Sequence, residues 1–261
     1  MSLFAFKLLA AVATFVVAIL GGLLPLRIGF SDVTRRFFSL ANALAGGILL
    51  GTGTLHMLGD SVELLDGVVD YPLAYLLCSL GFVAMLLIGR AIGGPLPALG
   101  QERPVGAMRR RLIVYLLMLM LSVHSFVAGI AMGLDPTLAG AVVIFIAIIV
   151  HKGSAAFALG VNLGRSRLAE PRQRSMIWLF AAVTPLGILL GELAAQGLAE
   201  QIGAHARMLE GVFDGLAAGT FLYISIFEIL GEELESRADR GLKIVLITAG
   251  LALMAWLALY V

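Results

Sequence analysis

From Leu3 to Leu26 a single charge, Lys7, interrupts an apolar run, and runs of this kind recur to the C-terminus. Stretches of about 20 apolar residues match a bilayer core crossed by an α-helix, whereas barrel strands alternate over about ten. The 261 residues are 60% hydrophobic and only 13% charged, with a mean hydropathy of +1.01. Soluble domains are about half apolar and a quarter charged. The sequence therefore specifies an all-α integral membrane protein. The N-terminal run has one lysine and stays apolar to Leu26, which reads as a retained span rather than a signal peptide. No basic stripe interleaved with aromatics points to nucleic acid. The single cysteine, Cys78, lies inside a span, so no intrachain disulfide forms.

Charge clusters and turn residues divide the chain into eight candidate helices, at 3–26, 37–62, 72–93, 111–134, 138–164, 174–198, 206–233 and 241–261. Short connections leave room for one membrane domain over 1–261. The exception is 94–110, rich in proline and glycine, which is expected to be a mobile cytosolic loop. Fifteen of the eighteen basic residues flank connections 1–2, 3–4, 5–6 and 7–8, including Arg35, Arg36, Arg165 and Lys243. Connections 2–3 and 4–5 carry only the acids Glu63, Asp66, Asp70 and Asp135. The positive-inside rule then sets the odd-numbered connections in the cytosol and both termini outside.

Ionisable groups within spans are expensive and mark function. Between Thr137 and Gly164 the only ones are His151 and Lys152, near the middle of helix 5. His124 lies near the middle of helix 4, beside Ser125. Helices 4 and 5 are antiparallel neighbours, so the two imidazoles sit at one depth, where they can share a borderline ion such as Zn²⁺ or simply hydrogen-bond within the bundle. Two further sets lie toward the ends. His56 and Asp60, at i and i+4, occupy the outer end of helix 2, and Glu228 and Glu232 the cytosolic end of helix 7.

These end sets resemble each other: His56-Met-Leu-Gly-Asp60 and Glu228-Ile-Leu-Gly-Glu232 are preceded by Gly51-Thr52 and Gly219-Thr220 at nearly equal distances. Helix 2 runs outward and helix 7 inward, so the echo is an inverted repeat, as in many transporters. Equivalent polar pairs then mark two mouths of a pathway with histidines between them. Glu192 and Asp214, in the outer halves of helices 6 and 7, are candidates to neutralise Lys152 or line the outer vestibule. Pro185 removes a hydrogen bond from the helix 6 ladder and frees a carbonyl there. "ALAGGILLGTG" (43–53) and Gly129-x-x-x-Gly133 permit close helix approach.

The chain resembles the ZIP family of metal transporters, which move Zn²⁺, Fe²⁺ or Mn²⁺ into the cytosol. The resemblance rests on "HMLGD", "HSFVAGIAMG", "HKGSAAFALG", "TPLGILLG" and "GTFLYISIFEILGEE", in order on helices 2 and 4–7. The helix 5 stretch is similar to the His-Lys branch. The resemblance implies an eight-helix bundle in which helices 1–3 and 6–8 form an inverted repeat around helices 4–5. It implies a central metal site at His124 and His151 with Ser125 nearby. His56 and Asp60 would guide cations in, and Glu228 and Glu232 would lead them out. Lys152 stands where some relatives have a carboxylate that binds a second metal, and its ammonium would take that cation's place electrostatically. Carboxylate positions of the family are Ala128 and Ala155 here, Thr184 stands before Pro185, and the usual prolines are Gly59 and Gly231. Fewer carboxylates leave a softer, imidazole-based site.

Zn²⁺ or a similar divalent ion is thus expected as transported substrate, with no permanent cofactor, alternating access as the mechanism and no enzymatic activity. The competing enzyme reading is a membrane-embedded zinc hydrolase built from His56, His124, His151, Asp60 and Ser125, though the usual HxxxH spacing is missing. Lys152 as a retinal-binding lysine lacks a flanking aromatic pocket in the sequence. Helices 3 and 8 are plain enough to face lipid or a second copy in a homodimer. Fifteen arginines against three lysines point to a bacterial inner membrane.

Overall fold

A computed structural model describes residues 2–28, 32–68, 70–93, 107–166, 168–197 and 199–259. These form eight rods: α1 (Leu3–Ile28), α2 (32–65), α3 (Leu73–Gly93), α4 (Ala107–Leu134), α5 (Leu138–Arg165), α6 (Glu170–Gly197), α7 (199–235) and α8 (Arg240–Leu257). Seven contain a stretch long and apolar enough to cross a membrane, and α3 supplies a shorter one, Leu73–Ile88, among the described residues. Most of the connection expected to be mobile, 94–110, lies outside the described residues. Its last four residues already belong to α4. Helix α7 starts at Ala199 rather than 206, since no proline or loop cluster breaks "AEQIGAHARM". The tight α4–α5 corner has a local cause: an Asp135 carboxylate oxygen accepts from the Thr137 amide (2.7 Å) and hydroxyl (2.9 Å). Thr137 in turn caps α5 by accepting from the Gly140 amide.

Packing sorts the rods into two groups, α1 with α4, α5 and α6, and α2 with α3, α7 and α8. Glycine is the reason. A Cβ at Gly129 on α4 would lie 2.6 Å from the Thr184 carbonyl oxygen on α6, and one at Gly187 on α6 would lie 2.5 Å from the Phe126 carbonyl oxygen on α4. The same reciprocal exclusion welds α1 to α5 (Gly21, Gly160), α3 to α7 (Gly81, Gly219) and α2 to α8 (Gly47, Gly250). Each seam lies inside one group, since the nearest atoms that a Cβ at these glycines would meet belong to the same group; between the groups, α2 packs on α5 and α4 on α7. Backbone-to-backbone approach of this kind substitutes for the hydrophobic drive that lipid removes.

Both α2 and α7 slip from α to π geometry at matching places, Thr52–Met57 and Ile224–Leu230. The Leu58 amide donates to the Gly53 carbonyl, and the Gly231 amide to the Ile226 carbonyl, five residues back in each case. The two slips fall on the two echoing motifs, in helices of opposite direction. π turns concentrate at functional sites because they re-aim side chains without ending the helix.

Candidate metal site

Three imidazoles meet where the two groups face each other. The ring centroids of His124 (α4) and His151 (α5) are 5.5 Å apart, and His56, from the π turn of α2, lies 5.6 Å from His151 and 6.3 Å from His124. His56 was expected nearer the outer surface than the other two, at the mouth with Asp60. The π turn instead carries its ring into contact with the central pair. Asp60 holds the Nδ1 side of His56 at 2.9 Å, which leaves Nε2 for the triangle. His124 and His151 are both about 4% exposed, and neither His124 nitrogen nor the His151 Nδ1 has a hydrogen-bond partner. Buried polar atoms of that kind call for a ligand or a function.

The triangle can be measured against an ion. Zn–N bonds of 2.0–2.1 Å in a tetrahedron put imidazole centroids about 5.2 Å apart. The observed separations exceed this by about 1 Å or less, so small ring shifts suffice. Among the described residues, however, no three His, Cys, Asp or Glu side chains already converge as a finished cage. The donor set suits a borderline ion.

Lys152 is buried and does not reach an interface. Its Nζ donates to Ser125 Oγ at 3.0 Å and to the Phe180 carbonyl at 3.4 Å, and lies 3.7 Å from the centre of the Phe180 ring. Neither expected carboxylate is its partner. One residue beyond His151, about 100° around α5, Lys152 faces α4 and α6 of its own group. Glu192 accepts from Lys7 at 2.6 Å, and the same ammonium donates to the Gly133 carbonyl. Asp214, on α7, lies with Oδ1 3.5 Å from His124 Nδ1. Ser125, expected as an oxygen near the ion, is engaged by Lys152. Helix α6 continues through Pro185, and Phe180, whose carbonyl Lys152 takes, immediately precedes Ala181, the residue denied its usual amide donor by the proline.

The two ends of the interface differ. Beside His56, a small cleft of about 30 Å³ is lined by Leu55, Asp60, Ala147, Met254 and Leu257, room for a water or two. At the arginine-rich end, Arg165 of α5 bridges the groups to Glu232 (2.7 Å) and Glu233 (3.1 Å) of α7. Glu233 is buried and also accepts from Ser39 and Asn42 of α2, and Lys243 of α8 lies 3.4 Å away. Sequence reasoning passed over Arg165 and Glu233. An arginine closing a span just opposite an acidic helix end was the available signal; the burial of Glu233 left none. Glu228 lies in the π turn of α7.

Comparison with known proteins agrees with this architecture. A family model described as "ZIP Zinc transporter" matches residues 4–97 and 99–258. Human zinc transporter ZIP1 is 32% identical over 85% of this chain and 78% of its own length. Human zinc transporter ZIP3 is 29% identical over 95% and 96%, and mouse zinc transporter ZIP2 29% identical over 87% and 86%. These relatives are transporters, which removes the hydrolase reading. The chain belongs to the ZIP zinc transporter family, and it is a multi-pass membrane transporter of divalent metal rather than an enzyme.

Proposed function

We propose that this protein carries Zn²⁺, with Fe²⁺ and Mn²⁺ as further candidates, into the cytosol by alternating access within a single membrane domain. The observation that carries the reading is the imidazole triangle, drawn from both glycine-welded groups and lying on the interface between them. His124 and His151 bind the ion, and His56, steadied by Asp60, receives it from the outer cleft. Lys152 is a fixed positive charge beside the site, held by Ser125, which admits one dication and disfavours a second. Glu228 and Glu232 form the exit, and Arg165 closes it in the present state by spanning the groups. Movement of one group along the other breaks that bridge and opens the site inward.

The arginine-rich end faces the cytosol and both termini lie outside, in a bacterial inner membrane. Leu80, Val83 and Leu87 of α3 and Ile244, Val245 and Trp256 of α8 are exposed, as a lipid-facing or dimer-forming surface requires. The test is flux into proteoliposomes with a panel of Zn²⁺, Fe²⁺ and Mn²⁺, with and without a pH gradient. His124→Ala and His151→Ala each abolish uptake on this reading; normal uptake by the double variant removes the assigned site.

A further inference from the structure

Neither helix that carries the central imidazoles supplies them with a carboxylate. One turn beyond His124 stands Ala128, one turn beyond His151 stands Ala155, and Lys152 adds a positive charge. A dication among neutral rings in an apolar bundle needs negative charge within reach. Among the described residues, Asp60 and Asp214 lie against the triangle, and Glu210 of α7 adds negative charge toward His56. Asp60 faces Nδ1 of His56 from the same helix, at 2.9 Å. Asp214 faces Nδ1 of His124 from the other helix group, at 3.5 Å. Asp214 is 6% exposed; His124 is its ion-pair partner among the described residues, and its charge also reaches His56. A carboxylate so deep, without an amide or hydroxyl donor, is costly for the fold alone.

We propose that Asp214 is a positioning residue for cation binding, holding the His124 ring across the interface as Asp60 holds His56 within one helix. The carboxylate accepts the Nδ1 proton of His124, so that Nε2 keeps its lone pair for the ion. It also supplies the negative charge missing from α4 and α5. At 3.5 Å the contact is open in the present state and closes by about half an ångström to reach hydrogen-bond range. Because Asp214 belongs to the group of α2, α3, α7 and α8, its hold on His124 exists only while the groups face each other in this register. Displacement of the groups strips the ring of its carboxylate and weakens the grip on the ion. The inference rests on the reading of the histidines as cation ligands, and the experiment separates the two.

Zn²⁺ uptake is measured in proteoliposomes for the wild type, His124→Ala, Asp214→Asn and Asp214→Glu. Loss of a carboxylate behind a ligating imidazole costs about 10–100-fold in affinity. Asp214→Asn is therefore expected to raise KM for Zn²⁺ at least tenfold with maximal flux within about threefold of wild type, and Asp214→Glu to recover most of the difference. If His124→Ala abolishes flux while Asp214→Asn keeps the wild-type KM, the positioning role is overturned and the ligand reading stands. If His124→Ala transports normally, the ligand reading itself fails. A measurement that needs no variant uses ¹⁵N-histidine NMR of the metal-free wild type, in which only four histidines must be assigned. His124 is expected as the Nδ1–H tautomer, and a predominant Nε2–H tautomer overturns the proposal.

Discussion

Lys152 is the residue whose surroundings most narrow the chemistry of the site. Its ammonium is held by a hydroxyl, a carbonyl and the face of Phe180, and no carboxylate among the described residues cancels it. Its anchor, Ser125, is the neighbour of His124, and it is itself the neighbour of His151, so on the proposed reading a charge there bears on any cation bound. Two unit charges about 4 Å apart at an effective dielectric near 20 interact by about 4 kcal/mol, and the effect on a dication several ångströms further off is still worth a power of ten. Lys152→Gln should therefore tighten Zn²⁺ binding by about tenfold in calorimetry of the purified protein and slow turnover. Binding as weak as in the wild type would remove the electrostatic role. At this scale the sequence is informative where depth alone decides: His124 and His151 fall at one level on an antiparallel pair. It is uninformative where rotation about a helix decides. The sequence pattern sets His56 at an outer end of helix 2, whereas its ring, carried on a π turn, lies beside the pair. Likewise Lys7 and Glu192 are 185 residues apart, and nothing local in either span announces their bond.

Among the elements, glycine pairs determine which helices are inseparable. A side chain at Gly129 must displace the α6 backbone, whereas Gly59 has nothing within 4 Å of an added Cβ. Overpacking of a close contact costs about 1–3 kcal/mol, while alanine in place of an unconstrained helical glycine gains about 1 kcal/mol or less. Gly129→Ala is thus expected to lower the melting temperature in detergent by several degrees and Gly59→Ala to leave it unchanged or slightly raised. Equal melting of the two variants would contradict the seam. The helices themselves are legible from apolar runs and charge clusters. Which helix joins which is not, because a glycine chooses its partner by the backbone it meets, and GxxxG spacing on α4 does not name α6.

For the whole molecule, the bundle, its eight helices and the echo between α2 and α7 follow from composition and from the two Leu-Gly motifs. The division into two groups does not, since it depends on where glycine contacts are absent. If transport is movement of one group along the other, a strap across the arginine-rich end should stop it. Arg165→Cys with Glu232→Cys, in a background where Cys78 is replaced, offers two thiols for a short bifunctional maleimide. Cross-linked protein is expected to lose Zn²⁺ uptake while the same variant treated with a monofunctional maleimide keeps a measurable rate. Uptake by the cross-linked form at the uncross-linked rate would exclude motion at this interface.

The confinement of the glycine seams to the interior of each group has a genetic consequence. Enlarging a seam residue is expected to lower the amount of folded protein, so such alleles behave as graded losses of abundance, uniform in phenotype. Enlarging a side chain on the face between α2 and α5 or α4 and α7 leaves the protein abundant and changes how fast it works or what it admits. Gain-of-function and altered-metal alleles should therefore map to that one surface, away from every glycine pair.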